Sequence, residues 1–129
     1  MAIIDDELDI VNLFREALHN IKGVSIFTFT DATVAFEHIR INNSAYVLVI
    51  SDLRMPHING LDLVYEVKKI NPSVRTLLMT AFEVNDNLFQ EYIKNRVING
   101  FLQKPIKLGE LRREVIKQIN IFKRKPQIT

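Results

Sequence analysis

The sequence predicts an α/β domain, a doubly wound parallel sheet of five strands with five helices on its two faces. Three observations predict it. Apolar, β-rich runs alternate with segments of helical period along all 129 residues, in the order βαβαβαβαβα. The connections between them are short, as consecutive βα units require. Tyr46–Ser51 (YVLVIS) is almost unbroken apolar sequence, the pattern of a central strand covered on both faces.

The elements follow in order. Ala2–Ile4 is a short first strand. Glu7–Ile21 places Ile10, Val11, Phe14, Ala17, Leu18 and Ile21 on one helical face, and Gly23 is expected to end that helix. Val24–Phe29 reads as the second strand, and Asp31 caps a helix running to about Arg40. Tyr46–Ser51 is the third strand. Asn59 or Gly60 opens a helix that ends before Pro72. Arg75–Met79 is the fourth strand, followed by a helix over about Glu83–Asn95. Ile98–Leu102 is the fifth strand. Leu108–Phe122 is a last amphipathic helix with Leu111, Val115, Ile119 and Phe122 inward. Five such units in one small domain point to the flavodoxin-like strand order 2-1-3-4-5.

Composition bounds the function. A chain that is 47% hydrophobic can build a core without staples, and with no cysteine neither disulfides nor thiolate metal sites are available. The start, MAIIDDE, turns acidic too early for a signal peptide, and no apolar run reaches the roughly 18 residues of a membrane span. A soluble cytoplasmic protein with no membrane contact is expected. The net charge of +2 is unevenly spread. From Lys104 to Lys125 eight basic residues face only Glu110 and Glu114, whereas the rest of the chain is acidic on balance. Such a stretch is ordinarily a solvated helix and tail; contact with DNA, an acidic partner or a second copy remains open.

Sites in doubly wound sheets lie at the carboxyl ends of the strands. The first strand ends in Asp5-Asp6, the third in Asp52, the fourth in Thr80, and the fifth runs into Lys104-Pro105. Each alone has a plain explanation as a cap, a turn or a surface residue. Together they bring three carboxylates, a hydroxyl and an ammonium to one edge. Three close carboxylates repel, and Mg²⁺, a hard cation needing only one or two of them, relieves the repulsion. An aspartate left over can take a phosphoryl group as an acyl phosphate, a transfer that depends on positioning and charge neutralisation. Lys104 and Thr80 would meet the phosphoryl oxygens.

These residues resemble the response-regulator receiver family of two-component signalling. The resemblance runs from Ile3 to about Ile121 and rests on Ile3-Ile4-Asp5-Asp6-Glu7, on Ser51-Asp52-Leu53-Arg54-Met55-Pro56 with Asn59-Gly60, on Met79-Thr80-Ala81 and on Gly100-Phe101-Leu102-Gln103-Lys104-Pro105. It implies that Asp52 is the phosphoacceptor. Asp5 or Asp6, with Asp52 and the backbone carbonyl of Arg54, would hold Mg²⁺, for which Mn²⁺ can substitute. Thr80 and Lys104 would sense the phosphate, and Thr80 and Phe101 would be the switch residues. Phe101 stands where members often have tyrosine. It implies further a sensor histidine kinase or phosphotransfer protein as donor, a downstream protein or fused effector as target, and phosphorylation-dependent homodimerisation as an option. Nucleic acid would be reached only through an effector absent from this chain. The expected division is a receiver unit over 1–121 and a basic tail or linker over 122–129.

Several features stand beside the family pattern. The first strand is short before Asp5 and is expected to fray. Phe82 is a bulky group near the site mouth, either limiting access or serving as a helix-start staple, and Arg54 either assists the phosphate or points to solvent. His19 and His38 fall on helices and are expected to be solvated; His57 lies near Asp52 in sequence. Other readings are less well supplied. A phosphohydrolase with an Asp nucleophile usually needs a second acid where Arg54 stands. A nucleotide or flavin module needs a glycine-rich loop after the first strand, and none of the four glycines is there. A degenerate receiver acting only as an interaction module would not need the full acidic set and Lys104.

Overall fold

The structure, a computed structural model, describes residues 1–56, 58–81 and 87–124, the side chains of 87–89 excepted. The elements are β1 (Ala2–Ile4), α1 (Leu8–Leu18), β2 (Phe27–Phe29), α2 (Ala32–Ile41), β3 (Leu48–Asp52), α3 (Gly60–Ile70), β4 (Arg75–Thr80), α4 (Asn87–Lys94), β5 (Gly100–Gln103) and α5 (Leu108–Arg124). All the strand pairs are parallel, in the order β2-β1-β3-β4-β5 that the alternation predicts.

Alternating side chains give the sheet two apolar faces. Ile3, Leu48, Ile50, Leu77 and Met79 pack on one side against Val11, Phe14 and Leu18 of α1 and Leu111, Val115 and Ile119 of α5. Ala2, Ile4 and Val49 pack on the other against Ala35 and Ile39 of α2 and Leu63 and Val67 of α3. A smaller cluster joins Val64, Leu78 and Ile98 with Tyr92 and Phe101. The expected fraying of the first strand is absent. Ala2, Ile3 and Ile4 are fully buried, and β1 is paired on both sides. Among the described residues no helix is long and apolar enough to cross a membrane.

Element limits differ from the sequence reading where tertiary partners decide them. β2 is shorter than Val24–Phe29 because β1 offers only three partners, the first pair being Ala2 with Phe27. α1 ends at Leu18 rather than Ile21. Ile21 donates its N–H back to Leu18 in a turn, and Gly23 takes its positive φ of 80° beyond the helix. β3 begins two residues later than expected, since Tyr46 still bonds back to Asn43 of a 3₁₀ turn. Asp31 caps α2 as expected, accepting from the N–H groups of Thr33 and Val34, and Asn59 caps α3 by accepting from Asp62. α5 runs two residues past Phe122. His38 is a correction: it is half-buried, with Nδ1 2.5 Å from the Tyr46 hydroxyl and its ring against Phe27 and Phe29. His19 is exposed. Phe82, His57 and the tail from Lys125 lie outside the described residues.

The end of α4 explains why β5 starts at Gly100 and not at Ile98. The N–H of Val97 bonds to Tyr92 O (3.1 Å) and that of Arg96 to Ile93 O (3.0 Å), a Schellman closure. Ile98 is likewise tied back to Tyr92, so residues 97 and 98 belong to the cap. Arg96 fills the left-handed position of this cap with φ 63°, where glycine is the usual occupant. A Cβ there costs about 1 kcal/mol. Arg96→Gly is therefore expected to raise stability by roughly 0.5–1 kcal/mol in urea unfolding; an equal or larger loss would show that the arginine side chain holds the α4 end in place.

Candidate functional site

Four strands deliver polar groups to one edge of the sheet. Asp5 follows β1 and remains tied to the sheet by its N–H, which donates to Phe29 O at 3.1 Å. Asp52 closes β3 and Thr80 closes β4. Lys104 follows β5 and donates its backbone N–H to Thr80 O at 2.7 Å. Parallel strands put all four carboxyl ends together, so residues up to a hundred positions apart meet.

Lys104 Nζ lies 3.0 Å from Asp52 Oδ1 and 3.6 Å from Asp5 Oδ2. Asp5, Asp6 and Asp52 each offer a carboxylate oxygen, and the three lie within 4.8 Å of one another. Asp5 is fully buried, Asp52 nearly so at 7% exposure, and Asp6 is exposed. Asp52, Arg54, Thr80, Ala81 and Lys104 line a cavity of about 240 Å³, some eight water volumes. Phe101 is not in its lining. It sits half-buried on β5, paired with Leu78 and so on the face of the sheet that Thr80 shares, and packs with Val64 and Ile98. The expected acidic set, Thr80 and Lys104 thus converge. Arg54 is exposed at the cavity rim.

Three supporting groups have contacts at the site that the sequence reading does not assign. The backbone N–H of Glu7 donates to Asp5 Oδ1 at 2.9 Å and fixes that carboxylate. Ser51 Oγ donates to the Asp52 carbonyl at 3.0 Å, inside the core. Gly60 donates its N–H to Leu53 O at 2.8 Å, and a Cβ built on it would stand 2.0 Å from the Asp52 carbonyl oxygen. Glycine is required there because α3 begins in contact with the backbone of Asp52. The Asn59-Gly60 pair is visible in the sequence, but not the carbonyl it must clear.

Electrostatics divide the two partners. Burial raises the Asp5 pKa; the Glu7 N–H and Lys104 oppose this, and the Asp52 and Asp6 charges reinforce it. Burial lowers that of Lys104, but the hydrogen bond to Asp52 and the charges of Asp5 and Asp52 outweigh it and leave the ammonium above its usual value. Lys104 is therefore firmly charged while Asp5 resists ionising. Asp5 Oδ2 is buried with no hydrogen-bond partner, Lys104 standing beyond bonding range. An orphaned carboxylate oxygen within a trio of carboxylates fits a hard divalent cation such as Mg²⁺, which takes oxygen ligands and keeps part of its water.

Two predictions follow from this geometry. Gly60→Ala forces the 53–59 loop off Asp52 and is expected to cost about 1–3 kcal/mol in thermal unfolding; unchanged stability would mean that the loop yields freely. For Asp5→Asn the sign is opposite. The raised native pKa means that the protonated form folds best, so the ionised wild type loses stability as pH climbs from the unfolded value of 3.8 through the native one. The variant should be more stable than wild type at pH 7 in EDTA by roughly 1–3 kcal/mol. The gap should close as pH falls toward 3.8. A destabilised variant at pH 7 would show that the ion pair with Lys104 outweighs the cost of burying the Asp5 charge.

Comparison with known proteins identifies the family. The family model of the response regulator receiver domain matches residues 1–116. The response regulator protein PilR of Pseudomonas aeruginosa is 30% identical over 119 residues, 92% of this chain and 26% of its own length. The DNA-binding transcriptional regulator NtrC of Azospirillum brasilense is 30% identical over 120 residues, 93% of this chain and 24% of its own. The chain therefore spans about a quarter of the length of these relatives. Among solved structures, a response regulator receiver domain protein from Clostridium thermocellum superposes with a TM-score of 0.82 at 28% identity, covering 95% of this chain and 94% of the other. The chain belongs to the response regulator receiver domain family.

Proposed function

We propose that this receiver domain takes a phosphoryl group on Asp52 from a sensor histidine kinase or phosphotransfer protein and changes conformation to signal downstream. One observation carries the reading: a charged Lys104 ammonium 3.0 Å from Asp52, beside a cluster of three carboxylates. Asp52 Oδ attacks the phosphorus of a phosphohistidine, the P–O bond forms as the P–N bond breaks, and the imidazole leaves with the electron pair. Lys104 meets the charge on the transferred group, and the Thr80 hydroxyl donates to one of its oxygens. Asp5, Asp6, Asp52 and the Arg54 backbone carbonyl would hold Mg²⁺, or Mn²⁺ in its place; when bound it neutralises phosphoryl charge.

Once Asp52 is a phosphate, Lys104 and Thr80 gain contacts that only one packing offers, and the population shifts toward that packing. Phe101, one pleat back on the same face, would move into the space Thr80 leaves, held by packing since it has no hydroxyl. The donor has a place to land. Ile10, Leu13, Pro105 and Ile106 line an apolar groove of about 440 Å³ that shares Ala81 and Lys104 with the phosphoacceptor cavity. Such a groove suits the apolar face of a helix carrying the phosphohistidine.

The unit would comprise residues 1–121, with 122–129 a basic tail or linker. It would act in the cytoplasm as a regulator rather than as a turnover enzyme. A downstream protein or fused effector, or a phosphorylation-dependent homodimer, would be its output, with nucleic acid contacted only through an effector.

Acetyl phosphate with Mg²⁺ is expected to add one phosphoryl group by intact mass, and Asp52→Asn to abolish the adduct. With Mg²⁺ binding verified by a rise in Tm (about 2.7 kcal/mol of stabilisation at a hundredfold excess over Kd), the lack of any adduct would refute the assignment.

A further inference from the structure

A basic cleft opens at the opposite edge of the sheet. A cleft of about 810 Å³ opens between the C-terminal ends of α3 and α4, over the start of β4 and the residues leading into β5. Arg75, at its floor, begins β4, and Thr80 ends it, so the cleft lies roughly 15 Å from the acidic pocket along that strand.

Its chemistry is one-sided. Lys68, Lys69, Arg75 and Arg96 line it, and among the described residues no carboxylate does. The chain as a whole is nearly balanced, with 17 basic and 15 acidic residues, so this concentration is local. Two acids sit next to lining cations without lining the cleft: Glu66 is 3.4 Å from Lys69, and Glu114 accepts from Gln118, which in turn accepts from Arg75 Nε at 2.8 Å. Two of the cations are held in place. Lys68 Nζ donates to Val74 O and to Asn99 Oδ1, and Asn99 Oδ1 also accepts from the Thr76 N–H. Arg75 is anchored on Gln118.

Two further features point to a ligand. Tyr65 lines the cleft 48% exposed, with Lys69 Nζ 4.7 Å from its ring centroid, so an aromatic surface and a cation are presented together. Arg96 occupies the left-handed cap position at φ 63°, so the chain carries an arginine at the cleft where glycine would be unstrained. Arg96 thus adds a fourth cation to the lining at a position where the backbone alone favours glycine.

We infer that this cleft binds a nucleoside phosphate, with the phosphates on Arg96, Lys69 and Arg75 and the base stacked on Tyr65. The volume falls in the range of small-molecule sites, and it is several times what a phosphate ion alone would need. Arginine supplies the forked donor that phosphate oxygens accept, and aromatic stacking accepts any base.

The test is a ¹H–¹⁵N NMR titration of the whole chain bearing Asp52→Asn, in EDTA, so that neither phosphorylation nor the acidic pocket takes part. ADP is expected to shift the amides of Tyr65, Ile93, Val97 and Asn99 saturably. Arg96→Gly should raise Kd about tenfold, the loss of one charge-assisted bond. Because that variant is expected to be at least as stable as its parent, lost binding cannot be blamed on unfolding. Tyr65→Leu should weaken ADP and leave the weaker binding of inorganic phosphate unchanged. No saturable shift with millimolar ADP would overturn the site. So would ADP binding indifferent to Arg96→Gly. Equal affinity for phosphate and ADP would overturn the nucleoside part, and the same shifts from an oligoglutamate peptide but not from ADP would hand the cleft to an acidic protein partner.

Discussion

The site turns on a buried carboxylate that the protein alone does not satisfy. Asp5 has lost its water, keeps one backbone donor from Glu7, and leaves Oδ2 without a hydrogen bond. Lys104 is close enough to hold the charge balance but bonds Asp52 instead. A buried charge with half its acceptors unused is costly, and such a cost persists in a fold only where something else completes the set. A cation on one side and a phosphoryl group on the other are the natural complements of three carboxylates and one ammonium.

The fold exists around this edge in a concrete sense. β1 must be paired on both sides for Asp5 to emerge beside Asp52, and it is, although it is only three residues long. Its shortness is offset by complete burial, with Ile3 committed to one core and Ala2 and Ile4 to the other. Gly60 brings the start of α3 against the Asp52 carbonyl, and Lys104 reaches the pocket because its N–H extends the ladder from Thr80. The groove of Ile10, Leu13, Pro105 and Ile106 adjoins the same lysine, so one ammonium borders both the cavity at Asp52 and an apolar groove beside it.

The two ends of the sheet are opposite in charge. The carboxyl edge gathers acids around one lysine; the amino edge gathers Lys68, Lys69, Arg75 and Arg96 with no acid among the described lining residues. Parallel strands enforce such polarity, since every strand begins at one edge and ends at the other. The length of β4, roughly 15 Å, separates the acidic pocket from the basic cleft.

The sequence by itself determined the order of elements, the parallel sheet, the helix caps at Asp31 and Asn59, and which residue types stand at the strand ends, because hydrophobic period and cap chemistry are local. It foresaw that Asp5, Asp6, Asp52, Thr80 and Lys104 come together, because a parallel sheet gathers these four strand ends at one edge. Only the tertiary structure decided the rest. β2 lost three residues to the short register of β1, and α1 gave up its last turn to a bend. His38 left solvent for Tyr46 and Phe27. The orphaned Oδ2 of Asp5, the carbonyl against Gly60, and the basic cleft drawn from α3, α4 and the strand starts are contacts between segments far apart in the chain. Distances of that kind are set by how layers pack, and no local pattern encodes them.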